Sequence, residues 1–353
     1  MFYFVNLFIL LFYSLIYKKL GIRRNWFLLL SAIHIGGIMA FRSCYIGTDT
    51  IQYYLRYRQI IAYRGSYAEL WQLNNKFPGW AIFFKVMSLF LGSNPNMYML
   101  VSSFFIIIFT WIGIKLFEVD EIQAVILYYL IFGLQAMNAT RQNMAMSLVF
   151  LAAALCRKRK GILGIGLLLI AISIHSSAVA GVFILGVMMI GLSRKKIYLA
   201  VITSFIGFFF LDYVVSVFAR VFTGYSAYAL DNLHVQGRNV VMQVIYIGAF
   251  VYCIWILRNY NVNQNEKKLL LFGGLLCGVE MVLGTLGARY TIIIRENMYF
   301  QIFIIVIVPL VLGYKNRYRK LYSAMAYGMG LFYFTFRIVT NAGDILPYET
   351  WLI

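Results

Sequence analysis

Predominantly apolar segments, separated by short basic clusters, run from one end of the chain to the other. Those at 2–17, 26–41, 97–116, 121–138, 141–155, 161–175, 177–192, 197–218, 240–257, 269–286, 297–313 and 321–336 suit a hydrocarbon core about 30 Å thick when helical. Basic clusters fall at 18–24, 157–160, 194–196, 258–268 and 315–320. Lysine and arginine collect on the cytoplasmic side of membrane proteins, so these clusters face inward. A further apolar segment, 80–91, is short and carries Lys85 near its middle. Counted as a span it breaks the alternation of loops; read as re-entrant or lying flat it restores it. The pattern predicts an all-α polytopic integral membrane protein with about twelve transmembrane helices and both termini outside. External loops fall at about 42–79 and 219–239 within a single membrane domain, 1–353.

Composition agrees: 62% of the residues are hydrophobic and 12% charged, too apolar a balance for a soluble domain. A net charge of +19 would suggest nucleic acid in a soluble protein. Here the charge sits in loops between apolar spans, which points to lipid headgroups and membrane orientation, with no nucleic-acid partner. Cys44, Cys156, Cys253 and Cys277 show no metal-binding spacing, and no metal or cofactor is expected. The N-terminus has no basic n-region or cleavage site and reads as a retained first helix.

Charge type then separates the two faces. The inner clusters are rich in lysine, whereas the basic residues left for the outer face are almost all arginine, among them Arg42, Arg141, Arg289 and Arg295. Orientation needs only charge. Arginine's planar fork suits bidentate contact with phosphate or carboxylate, so the outer face is a place that handles an anion.

Four segments bring polar groups to that level. Arg42 precedes Gly47-Thr48-Asp49-Thr50, which opens the first external loop; Asp49 or Thr48 can also cap the next helix. The tyrosines and arginines that follow suit either sugar contact or an amphipathic interfacial helix. Asn138-Ala-Thr140-Arg141-Gln142-Asn143 joins two apolar helices. An arginine so near a helix start opposes the dipole unless an anion is close, or else it snorkels to the interface. His175, with Ser173, Ser176 and Ser177, interrupts a long apolar run between basic clusters. It is either a proton acceptor or a buried histidine bonded to a neighbouring carbonyl. The last segment holds Arg289, then Arg295 and Tyr299 on one helix face.

At these residues the chain resembles the EpsG family, relatives of the Wzy-type polysaccharide polymerases. The likeness runs through Arg42 with Gly47-Thr48-Asp49-Thr50 and Tyr53, then Thr140-Arg141-Gln142-Asn143-Met-Ala145, then Ile174-His175-Ser176-Ser177-Ala178, and more loosely Arg295, Tyr299 and Phe300 before Pro309. It covers about residues 1 to 312. Such proteins often carry a glutamate before the proline of the segment that reads here Lys76-Phe77-Pro78-Gly79-Trp80, and no acid stands there.

The resemblance implies polymerisation of undecaprenyl-diphosphate-linked oligosaccharide repeat units on the outer face of the bacterial cytoplasmic membrane. It further implies a fold similar to GT-C-type glycosyltransferases, and as partners the growing glycan chain and the chain-length regulator and flippase of the same pathway. The residues suit that chemistry independently. A lipid diphosphate leaving group needs cations, for which Arg141 stands first, with Arg42, Thr48, Gln142, Arg289, Arg295 and Tyr299 as further binding residues. A sugar hydroxyl acceptor needs a base, His175 or failing that Asp49. No paired carboxylates stand at hydrolase-like positions. A lipid-linked glycan ligase would use the same constellation, a flippase or transporter would favour repeats and charges near the midplane, and an O-acyltransferase would leave the outer arginines unexplained.

Overall fold

The computed structural model describes residues 1–190, 193, 195, 202, 240–287 and 291–352, without the side chains of residues 240, 285–287, 291 and 292. All but one residue of the expected span 197–218, the second external loop and Arg289 lie outside the described residues. The described chain is helical, and an isolated antiparallel bridge pairs Arg42 with Thr350. Among the described residues four helices are long and apolar enough to cross a membrane, Phe2–Leu20, Met97–Phe117, Val241–Asn259 and Ile293–Leu312. Shorter apolar helices accompany them. Two compact units are formed, one from Met1–Leu185 with Gly330–Ile353 and the other from Gly186–Met329.

In the first unit the helix Thr140–Arg157 packs against Met97–Phe117 and Gly161–Ile174, and Arg24–Ala40 packs against Met97–Phe117. Thr140–Arg157 has 18 residues, hence about 27 Å of length, close to the thickness of a hydrocarbon core. Its two ends differ in chemistry. At the Arg157 end, Arg157 donates to the Phe117 carbonyl, Lys158 pairs with Glu118, and Arg24 lies 3.5 Å from Glu121. At the Thr140 end lie the 42–50 segment and the C-terminal tail. Ser43 N–H donates to Glu349 O at 2.8 Å, Gly47 N–H to Asp344 O at 2.9 Å, and the Tyr3 hydroxyl to Ile345 O at 2.9 Å. Within this unit the clusters at 18–24 and 157–160 and the motifs at 42–50 and 138–143 therefore lie toward opposite ends of one helix.

Two apolar segments have a finer structure than their pattern indicates. The 121–138 segment runs as Glu121–Tyr128, a π-helical turn Tyr129–Gly133 and a short turn Leu134–Ala136 before the corner at Asn138. The 80–91 segment is the helix Pro78–Leu91, whose 14 residues span about 21 Å, short of the core thickness. Lys85 points its ammonium at Ile61 O, 3.0 Å away, and Tyr63 O, 2.6 Å away, at the end of the helix Thr50–Ala62. There a cation satisfies carbonyls that the helix leaves open.

In the second unit Val240–Asn259 packs against Gln264–Gly287, which in turn packs against Thr291–Gln301. Near Lys315–Arg317, Tyr252 donates to Asn316 Oδ1 at 2.7 Å and Tyr314 to Glu266 Oε2 at 2.7 Å.

Candidate functional site

The site in the first unit is built around the corner that turns the chain into the helix Thr140–Arg157. Asn138 is its pivot. Its Oδ1 accepts the Thr48 hydroxyl at 2.8 Å and the Asp49 backbone N–H at 3.0 Å, while Thr50 Oγ1 donates to Met137 O at 3.0 Å. Gly47 makes this docking possible. It holds a φ of +95°, and any side chain there would press on Met137 O. Two motifs ninety positions apart are thus joined at one point.

Asp49 occupies the position that caps the helix Thr50–Ala62, yet its carboxylate makes no capping hydrogen bond. Thr48 spends its hydroxyl on Asn138 instead. The turn therefore places an acid beside the corner without consuming it in helix capping.

Arg141, in the first turn of its helix, stacks its guanidinium on Phe77, 3.3 Å from the ring centroid, with Tyr53 at 5.2 Å and Trp80 at 5.8 Å. Stacking engages the face of the guanidinium and fixes its plane, so the N–H edge has a defined direction. Gln142 and Asn143 behind it are buried, and Asn143 Nδ2 donates to Ala139 O at 2.9 Å.

His175 ends the helix Gly161–Ile174 in extended conformation, and a 3₁₀ turn Ser176–Val179 follows. The imidazole is buried, at 8% exposure. Gly79 approaches Ser173 so closely that a side chain at 79 would overlap the serine hydroxyl. Both Arg141, through Phe77 and Trp80, and the His175 break, through Ser173, are thereby tied to the start of the helix Pro78–Leu91.

Arg42 is fully buried, its guanidinium contacting Met39 O, Ser103 Oγ at 3.3 Å, Met137 O at 2.9 Å and Thr140 Oγ1 at 3.4 Å. Burial lowers its pKa to about 10, so it remains a cation at neutral pH. In this geometry it clamps three chain segments behind the corner. Arg337, which sequence reasoning left outside the site, donates to Tyr333 at 3.2 Å and to Ala342 O at 3.3 Å beneath the tail. The aromatic box of Tyr53, Phe77 and Trp80 was likewise unannounced, although Pro78-Gly79-Trp80 could have signalled a helix start pressed against a neighbour.

The second unit holds Arg295 and Tyr299 on the helix Thr291–Gln301, the arginine exposed and the phenol wholly buried. It also holds a polar cluster that sequence reasoning missed. Glu280, 1% exposed, accepts from Asn297 Nδ2 at 3.3 Å and Gln301 Nε2 at 3.2 Å, and Gln243 Nε2 donates to Met281 O at 3.3 Å. The signal was present: a lone acid in the run Leu275-Leu-Cys-Gly-Val-Glu280-Met-Val-Leu.

The EpsG family model matches residues 25–350, nearly the whole chain, and the chain belongs to that family. No curated protein and no solved structure shows a significant match to it. Family membership and the apolar helices together point to a polymerase-like membrane protein of polysaccharide biosynthesis.

Proposed function

We propose that the chain is a glycosyltransferase-type polymerase of undecaprenyl-diphosphate-linked oligosaccharide repeat units, acting at the outer face of the bacterial cytoplasmic membrane. One observation carries the reading: the Gly47–Thr50 turn is docked on Asn138, which sets an uncapped Asp49 beside a helix start carrying Arg141 on an aromatic box. Basic loops at the far end of the same helix support the outward orientation of that start. The remaining apolar segments complete about twelve spans, with a fold similar to GT-C-type glycosyltransferases.

In the reaction an acceptor sugar hydroxyl attacks the anomeric carbon of the donor. A new C–O bond forms, the bond from that carbon to the phosphate oxygen breaks, and the lipid diphosphate leaves with the electron pair. Arg141 and the first-turn N–H groups of its helix meet the charge that develops on the diphosphate. His175 takes the hydroxyl proton, with Asp49 as the other base within the assembly. Asn138 and Arg42 position the corner, and Thr48 and Gln142 border the donor. Arg289 and Arg295 are further donor or acceptor contacts, and Tyr299, wholly buried, packs inside the unit that carries Arg295.

A strain lacking the gene tests the reading. Lipid-linked single repeat units should accumulate while long glycan disappears. Normal polymer with unattached chains would instead indicate a ligase, and intermediates held on the cytoplasmic side would indicate a flippase.

A further inference from the structure

A cavity of about 940 Å³ lies in the first unit, where the helix Thr50–Ala62, the helix Tyr67–Leu73 and the helix Pro78–Leu91 come together. Arg58, Arg64 and Lys85 line it together with Tyr63, Tyr67 and Ser66. The corner described above contributes no lining residue.

Three cations meet there. Lys85 uses its ammonium on the carbonyls of Ile61 and Tyr63 and fixes the wall. Arg58 and Arg64 make no hydrogen bond or ion pair among the described residues, and both are exposed. The nearby acid is already engaged: Glu69 Oε2 accepts the Tyr63 hydroxyl at 2.7 Å and the Ser66 N–H at 3.2 Å, and the Tyr63 bond holds its carboxyl below the usual range. A capping box between Ser66 and Glu69 makes that arrangement part of the fold. The arginines are left to an external anion.

The volume lies at the upper end of the range for organic ligands, far beyond what one inorganic anion fills. Tyrosine rings and hydroxyls among the cations suit a ligand with apolar faces and many hydroxyls. We infer that this cleft binds an acidic saccharide, a sugar unit bearing a carboxylate or similar anionic group, as a second glycan subsite apart from the transfer site. The inference rests on the polymerase reading for the origin of its ligand. An anionic lipid headgroup would share the charge. The tyrosine and serine hydroxyls of the cleft favour the saccharide, and a lipid headgroup is an outcome that the test separates.

The test is direct binding to the full-length protein in phosphatidylcholine nanodiscs. The probe is a hexameric oligogalacturonate, with its carboxyl-reduced counterpart as the neutral control. The acidic probe should bind, the neutral one bind at least about tenfold more weakly, and Arg58→Gln with Arg64→Gln should weaken the acidic probe by about tenfold or more. Circular dichroism and size exclusion confirm folding, and Arg58→Lys with Arg64→Lys should retain part of the affinity. Equal binding of both probes, no binding at low salt, or an unaffected glutamine variant would overturn the inference. So would displacement of the probe by phosphatidylglycerol added to the nanodisc, which would identify a lipid site. Because the measurement needs no turnover, selective binding by a protein that proves not to polymerise would leave the cleft standing and remove only the polymerase reading.

Discussion

The Thr48 hydroxyl donates to Asn138 Oδ1 at 2.8 Å, across ninety positions of sequence. The same oxygen accepts the Asp49 N–H, so one amide sets the position of the turn relative to the helix that carries Arg141. Asn138→Leu should release the turn and abolish most polymerisation at near-normal abundance. Loss of two hydrogen bonds at a partly exposed site costs only about 1–3 kcal/mol. Asn138→Asp keeps the accepting oxygen and should retain more activity. Chain-length profiles with immunoblots check both.

Arg141 is held by its face. Arg141→Lys keeps the charge but loses the fork and the stacking, and polymerisation should fall severely. Phe77→Leu leaves the arginine and loosens its plane, so the loss should be smaller, about three- to tenfold for a stacking contribution of about 1 kcal/mol. Arg157→Lys at the opposite end should be nearly silent. Equal tolerance at 141 and 157 would make Arg141 an interfacial anchor.

Glu280 anchors two amide donors in the second unit. Glu280→Leu strands both and should reduce stability by about 2–3 kcal/mol, read as loss of protein from detergent extracts on heating. Glu280→Gln keeps an acceptor oxygen and should be milder. If glutamine preserves the fold but stops polymerisation, the carboxyl has a chemical role as well.

Much of this organisation was legible in the sequence, and the reasons are physical. The break at His175 shows because a polar tetrad interrupts a long apolar run, and Arg141 shows because it opens a helix against the dipole. The basic loops predict that both face one side of the membrane. The docking of Thr48 on Asn138 was hidden, since contacts ninety residues apart leave no local periodicity. Arg42 illustrates a second limit: an arginine beside an apolar run reads the same whether it faces solvent or, as here, lies buried against the carbonyls of Met39 and Met137 and the hydroxyls of Ser103 and Thr140. Glu280 shows in the sequence as a lone acid in an apolar run, but apolar length alone marks its helix only as a span. Arg289 lies outside the described residues.

Orientation has its own check. In a variant lacking native cysteines, a cysteine introduced at Thr48 should react with an impermeant thiol reagent from outside intact cells. One introduced at Lys158 should react only after the membrane is opened. Labelling at 158 in intact cells would invert the topology and move the site to the cytoplasm.

The most direct measurement is ladder formation by purified protein reconstituted in liposomes with undecaprenyl-diphosphate-linked repeat units as the sole substrate. Wild-type protein should extend them into a ladder while releasing one lipid diphosphate per bond formed. His175→Gln keeps hydrogen bonding and most of the volume but cannot take and release a proton near neutrality. It should lower the rate by roughly 10²–10⁴ with donor binding retained. A normal ladder from well-folded His175→Gln would pass the proton to Asp49, and no ladder from active-substrate controls with wild-type protein would contradict the polymerase itself.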